Sequence, residues 1–213
     1  MIILIGGQKG GAGKTNITTN LAAHLVNIGK DLIIVDTDRA QNSSAKWSAR
    51  RRARDGIKPV QCVLAHDDVR DTIQDLKKRY ELVLVDAGGR DSKEFRTALA
   101  VADICLTPFV PSQHDVDTLP LVNDLIEQIK VYNPNLIGYA MFSNCPQNKA
   151  AREKRINEYR EVLVEELTEL KLLKTEIINR IAYTDTATNG FGVTEMDDEK
   201  AAQEIVSLAE EVF

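Results

Sequence analysis

Cysteine is scarce. Cys62, Cys105 and Cys145 are the only three in 213 residues, and no two form a C-x-x-C pair. That pattern excludes a disulfide framework and any recognisable zinc or iron–sulfur spacing. It suits a reducing cytoplasmic compartment, with Cys62 and Cys105 lying in apolar runs as inert core thiols. His24, His66 and His114 are scattered and suggest no metal site. No apolar run reaches membrane-spanning length. The first seven residues are apolar, but too short and without the basic start of a signal peptide. Linkers rich in Pro or Ser, low-complexity tracts and internal repeats are also missing, which predicts one domain over residues 1–213. Nor is there an excess of positive charge. The 27 Lys and Arg stand against 32 Asp and Glu, a net charge of −5, so the chain as a whole is no basic nucleic-acid binder.

What is present fits a soluble globular protein. Apolar residues make up 43% and charged residues 28%, in a chain long enough to bury a core without staples. The charges are unevenly placed. Residues 46–58 hold six basic residues and one acid, whereas residues 194–213 hold seven acids and one lysine. A local basic patch on an acidic body can bind a polyanion; a solvated helix face is the other reading. Trp47, inside the basic run, reads as a packing anchor.

Short aliphatic runs recur at Ile2–Ile5, Leu32–Val35, Leu82–Val85, Ile104–Leu106 and Leu136–Phe142, each of strand length and without clean alternation. Segments of helical length lie between and after them: Asn16–Ile28, Val69–Lys78, Glu94–Ala102, Thr118–Val131 and Ala151–Leu173. This alternation predicts an α/β fold, a doubly wound, mostly parallel sheet covered by helices on both faces. Ile177–Ala182 reads as a short strand, Thr184–Met196 as a loop, and Lys200–Phe213 as a closing helix.

The sharpest local signal is Gly6-Gly-Gln-Lys9-Gly10-Gly11-Ala12-Gly13-Lys14-Thr15, directly after the first strand and opening the first helix. Glycines here let successive N–H groups converge on a phosphate at a helix N-terminus. Lys14 supplies a full charge at the β- and γ-phosphates, and the Thr15 hydroxyl is placed to ligate Mg²⁺. The usual phosphate-loop pattern requires glycine where Gln8 stands; the fit is instead to K-G-G-x-G-K-T with the additional Lys9.

Lys9-Gly-Gly-Ala-Gly-Lys14-Thr15 resembles the deviant Walker A motif of the ParA/MinD group of P-loop ATPases. The resemblance implies a P-loop NTPase fold that uses ATP and Mg²⁺, and a nucleotide-sandwich homodimer in which Lys9 reaches the partner subunit's ATP. Residues Gly10 to Asn16 would surround the phosphates. Two aspartates end the second strand in Asp36-Thr-Asp38. By the resemblance Asp38 positions the attacking water, while Asp36 supports Mg²⁺ and the phosphate loop. The family usually continues with Pro-Gln, whereas this chain has Arg39-Ala40-Gln41 and a switch segment one residue longer. Asp86, closing Leu82–Val85, matches a Walker B carboxylate reaching Mg²⁺ through water. Asn144 either reads the adenine edge, as the family often does, or is a turn residue before Pro146. The segment Ile104 to Asp115 also resembles the family's, and the resemblance is clear from Met1 to Ser143.

Within that group the features narrow. MinD-like members end in a basic amphipathic helix, but here Glu210 and Glu211 end the chain and no Lys or Arg follows Lys200, so no membrane binding is expected. Iron-protein relatives need cluster cysteines. The position of Lys9 points to the short ParA type rather than the larger plasmid-partition ATPases with a preceding helix-turn-helix domain, and Asp36 to Trp47 also resembles the short type. Such proteins dimerise on ATP, bind DNA non-specifically on the nucleoid, and are released when a ParB-like centromere-binding or adaptor protein stimulates slow hydrolysis. Two patches fit DNA: Arg50, Arg51, Arg52 and Arg54, or a second spread including Arg152, Lys154 and Arg155. Charge density favours the first and the resemblance the second. The implied function is plasmid or chromosome partition. The alternative is a positioning ATPase for a protein cargo or conjugation complex. A metabolic enzyme such as a dethiobiotin synthetase shares the phosphate-loop fold, but Lys9 argues against it.

Overall fold

The apolar runs form the middle of one sheet. The computed structural model describes residues 1–89 and 91–213. The chain runs through β1 (Ile2–Ile5), α1 (Lys14–Asn27), β2 (Leu32–Asp36), α2 (Ser43–Arg52), β3 (Gln61–Leu64), α3 (Arg70–Lys77), β4 (Leu82–Asp86) and α4 (Lys93–Leu99). It continues through β5 (Ile104–Phe109), α5 (Gln113–Val116), α6 (Leu119–Lys130), β6 (Ile137–Phe142), α7 (Lys149–Glu166), β7 (Leu170–Leu172), α8 (Ile181–Asn189) and α9 (Glu199–Val212). Among the described residues seven strands make one sheet in the order β3-β2-β4-β1-β5-β6-β7. The expected "mostly parallel" sheet is parallel at every one of these pairings.

Burial follows from that topology. The four central strands β2, β4, β1 and β5 are buried throughout, which is why they read as unbroken apolar runs. On one face, Ile73, Phe95, Leu99, Val122, Ile126 and Leu163 pack from α3, α4, α6 and α7. On the other, Leu21, Trp47, Tyr183, Ile205 and Leu208 pack from α1, α2, α8 and α9. The chain leaves β1 between β4 and β5, so the C-terminal ends of β1, β2 and β4 frame a crevice at the topological switch point.

The C-terminal third departs from expectation. The helix predicted over Ala151–Leu173 stops at Glu166, and its tail becomes β7 at the sheet edge. Ile177–Ala182 is not a strand: Ile178 makes an isolated bridge to Cys145, and the chain enters α8 at Ile181. The loop predicted over Thr184–Met196 is largely helical, as the rest of α8 and a 3-10 turn at Val193–Glu195. Buried Tyr183 and Thr186 dock α8, and Gly190 ends it with φ 77°, so tertiary packing and a left-handed cap outweigh weak helix propensity.

Candidate nucleotide-binding site

A cleft of about 440 Å³ opens over the strand ends, lined by Gly10 to Asn16 apart from Ala12, and by Asp38, Gly88 and Gly89. The phosphate loop leads from β1 into α1, turning through positive φ at Gly11 and Gly13. Lys14 is buried, and its Nζ donates to the Lys9 carbonyl at 2.6 Å. Burial lowers its pKa, while the carboxylates of Asp86, Asp38 and Asp115 pull it back up. The Lys9 side chain, next in sequence to the cleft-lining Gly10, is exposed and has no hydrogen-bond or ion-pair partner among the described residues. Gly89 presses on the same loop: a Cβ there would stand 2.7 Å from the Gly10 nitrogen and 2.8 Å from the Lys9 oxygen.

Two braces that the sequence reading missed hold the loop from beneath. Ser143 Oγ donates to Ala12 O at 2.6 Å, and Asn144 Nδ2 donates to Gly11 O at 2.8 Å. Asn144 itself has φ 49°. It sits in a bend before Pro146, as the turn reading has it, and its amide nitrogen in addition braces the loop, a contact that neither reading foresaw. Asn16 Nδ2 donates to Tyr183 O at 2.7 Å and ties the start of α1 to α8.

The three aspartates converge because parallel register puts Asp36 opposite Asp86 at the ends of β2 and β4. Asp36 is fully buried; its oxygens accept from Asp38 N at 3.1 Å and Ala45 N at 3.0 Å. Asp38 Oδ1 accepts from Ala40 N and Gln41 N, and Asn42 takes φ 49° before α2 begins. The Arg39-Ala40-Gln41 segment lies in this capped turn, and Arg39 pairs with Asp67 at 2.8 Å on the surface. Asp86 Oδ2 accepts from the Ser44 hydroxyl at 2.7 Å, but its buried Oδ1 has no hydrogen-bond partner among the described residues. Burial pushes the Asp86 pKa up to about 7, against the Ser44 hydrogen bond and the nearby Thr15 hydroxyl, with the Asp36 charge adding to the rise and Lys14 opposing it. Among the described residues no group of three His, Cys, Asp or Glu side chains is placed to hold a metal by itself. An unpartnered carboxylate oxygen beside a threonine hydroxyl suits a divalent cation that takes its remaining ligands from phosphate and water.

A smaller hollow adjoins the loop on its other side, lined by Gly13, Asn16, Asn144, Asn179, Arg180 and Tyr183 among others. Its wall is held by acids from the C-terminal helix. Glu204 accepts from Arg180 at 2.7 and 2.9 Å, from the Tyr183 hydroxyl at 2.9 Å and from Ile178 N at 3.1 Å. Glu211 accepts from the amides of Lys174 and Thr175. The acidic C-terminus thus has inward contacts that charge counting missed.

The arginine run proposed for DNA needs correction. Arg51 is fully buried and paired with Glu195, so it is unavailable to a phosphate backbone. Arg50 donates to Ala187 O, and Arg54 donates to Asn189 O and lies over the Phe191 ring. Only Arg52 of the four is exposed without such a tie among the described residues. Trp47 is 1% exposed, a packing anchor as expected. In the second patch Arg152 is half-buried at ion-pair distance from Glu176, whereas Lys154 and Arg155 are exposed and unpaired among the described residues. The described helices include none long and apolar enough to cross a membrane.

A phosphate loop between a parallel strand and its helix, with carboxylates at neighbouring strand ends, defines a P-loop nucleotide-binding protein. Residues 3–191 match the CobQ/CobB/MinD/ParA nucleotide binding domain, and the chain belongs to that family. It is similar to the maintenance of carboxysome distribution protein A of Halothiobacillus neapolitanus, at 25% identity over 99% of this chain and 95% of that one. The fold resembles the septum site-determining protein MinD of Pyrococcus horikoshii, solved with Mg-ADP (TM-score 0.76, 18% identity, covering 99% of this chain and 95% of that one). It also resembles a plasmid partition protein of Borrelia burgdorferi bound to AMPPNP (TM-score 0.71, 16% identity, covering 100% and 99%).

Proposed function

We propose that the chain works as one domain over residues 1–213, a slow Mg²⁺-dependent ATP hydrolase of the ParA type. In this reading it dimerises on ATP, binds DNA non-specifically on the nucleoid in the cytoplasm, and partitions a plasmid or chromosome with a ParB-like or adaptor partner. The observation that carries it is the contrast between two lysines of one loop: Lys14 is buried, while Lys9 is exposed and unpartnered among the described residues. A cation placed there serves a phosphate outside its own loop better than one within it.

In that scheme Gly10, Gly11, Ala12, Gly13 and Asn16 surround the phosphates, with Lys14 at the β/γ position and Asn144 near the adenine. Thr15 would ligate Mg²⁺ directly and Asp86 Oδ1 through water, with Asp36 beside them. When bound, Mg²⁺ offsets the phosphate charge. Asp38 orients the attacking water, and Lys14 with Lys9 of the partner subunit stabilises the transferring phosphoryl group.

For DNA, the exposed Lys154 and Arg155, with Arg52 as the remnant of the arginine run, are better candidates than Arg51 or Arg152. A monomer that is net acidic gains from presenting two copies of such a small patch together. The test is retention on double-stranded DNA of arbitrary sequence with Mg²⁺-ATP. Asp38→Ala should bind ATP, stall before hydrolysis and stay on DNA longer than wild type. Lys154→Glu with Arg155→Glu should reduce the slope of log affinity against log salt by about 2 per protomer, at unchanged ATP affinity. A stalled Asp38→Ala dimer that ignores DNA at low salt would refute the partition reading.

The second reading, positioning of a protein cargo, is favoured by the near full-length match to the carboxysome distribution protein. A small DNA-binding partner gene beside repeated sites would favour partition, and a neighbouring cargo operon would favour positioning.

A further inference from the structure

We infer that Glu195 is a positioning residue for hydrolysis, acting through Arg51 and α2 on the carboxylates of the phosphate cleft. The inference rests on the hydrolase reading above. α2 meets the cleft at its first turn, where the Ser44 hydroxyl holds Asp86 at 2.7 Å and the Ala45 amide holds Asp36 at 3.0 Å. Trp47 and Arg50 line the same cleft, and so does Ala187 of α8.

The rest of α2 is fastened to residues 187–195. Arg51 is fully buried; its Nε donates to Lys58 O at 2.7 Å, and its Nη1 to Gly190 O at 3.1 Å and Glu195 Oε2 at 2.7 Å. Its Nη2 completes a two-pronged pair with Glu195 Oε1 at 2.7 Å. Glu195 also accepts from Gly192 N at 2.8 Å and Asn27 Nδ2 at 2.7 Å. The guanidinium lies 5.3 Å from the centre of the Trp47 ring, whose Nε1 donates to Phe191 O at 3.1 Å. Arg50 and Arg54 add bonds to the carbonyls of Ala187 and Asn189. The basic run therefore grips a row of backbone carbonyls in its own chain.

A forked ion pair fixes rotation as well as position, and a buried one has no water to take over a displaced bond. From Arg51 to Ser44 is seven helical residues, about 10 Å of rigid α-helix. A change at Glu195 thus shifts the hydroxyl that holds Asp86 with one oxygen open. Displacements well under the size of an atom matter at such a site. A tie that merely anchored the C-terminal segment would alter stability and leave the cleft as it was.

The decisive experiment combines steady-state hydrolysis, ATP affinity and Trp47 fluorescence for Glu195→Gln, which keeps the size and removes the charge. We expect kcat to fall about ten-fold, with ATP affinity, set by the phosphate loop, unchanged. Trp47 is the single tryptophan. Its emission should respond to Mg²⁺-ATP in the wild type and lose that response in the variant. Lys130→Met is the control: it breaks the part-buried Lys130–Glu169 pair beside the edge strand β7, and should cost stability while leaving kcat alone. Wild-type kcat in Glu195→Gln, or an equal loss in Lys130→Met, overturns the inference. Should Glu195→Gln fail to fold, Arg54→Ala removes the contacts to Asn189 and Phe191 at the surface end of the same seam. It should lower kcat measurably and weaken the Trp47 response, and wild-type behaviour there also overturns the inference. A wild-type chain that binds ATP but never hydrolyses it gives a different result, the failure of the underlying hydrolase reading.

Discussion

Asp86 occupies the most demanding environment in the cleft. It is 2% exposed, next to Asp36, and among the described residues it is hydrogen-bonded on one oxygen, by Ser44. Burial raises its pKa to about 7, so near neutrality a proton competes with a cation for the carboxylate. The sign follows directly: cation binding needs the ionised form, and lower pH opposes it. Mg²⁺ affinity of the ATP-bound protein, titrated calorimetrically between about pH 6 and 8, should weaken as pH falls through 7. Asp86→Asn should bind Mg²⁺ weakly at every pH, with a flat profile. Its counterpart Lys14 has the opposite geometry, an ammonium buried against a loop carbonyl and made easier to deprotonate by that burial. The three thiols take no part. Burial pushes Cys62, Cys105 and Cys145 up to about 12, which leaves them as unreactive packing groups.

Between elements, the contact of α2 with residues 187–195 decides how the C-terminal third is placed. Gly190 is its tightest point: φ is 77°, and a Cβ would come within 2.5 Å of the Arg51 nitrogen. Gly190→Ala combines a left-handed backbone with a backbone clash and should cost about 2–4 kcal/mol, read from urea denaturation. Little of this contact was legible beforehand. Arg51 and Glu195 are 144 positions apart, and a cluster of arginines looks the same in sequence whether it faces phosphates or carbonyls. The central strands were legible because burial on both faces leaves an unbroken apolar run. The edges were not: β3 is half-exposed, and β7 is three residues long. α8, rich in Thr and Asn, is a helix only because Tyr183, Thr186 and the Gly190 cap make it one. The phosphate loop and the strand-end aspartates were readable because their chemistry is local and ordered along the chain. The Ser143 and Asn144 braces were not, since nothing in sequence says that the end of β6 lies under the loop.

At the scale of the whole molecule, the proposed cycle depends on a surface that one protomer does not use. Lys9 stands exposed on the loop that lines the cleft, and Gly89 is packed against that loop. In that proposed cycle the net charge of −5 would work against DNA binding by a single protomer, and pairing two protomers would bring two copies of the exposed cations onto one assembly. Sedimentation velocity with Mg²⁺ and a non-hydrolysable ATP analogue tests this most directly. Wild-type protein should sediment as a monomer without nucleotide and as a dimer with the analogue. Lys9→Ala should still bind the analogue through Lys14 and Thr15, yet remain largely monomeric. Wild-type protein that stays monomeric at saturating analogue, or a Lys9→Ala variant that dimerises as well as wild type, would contradict the sandwich dimer and the division of labour between the two lysines.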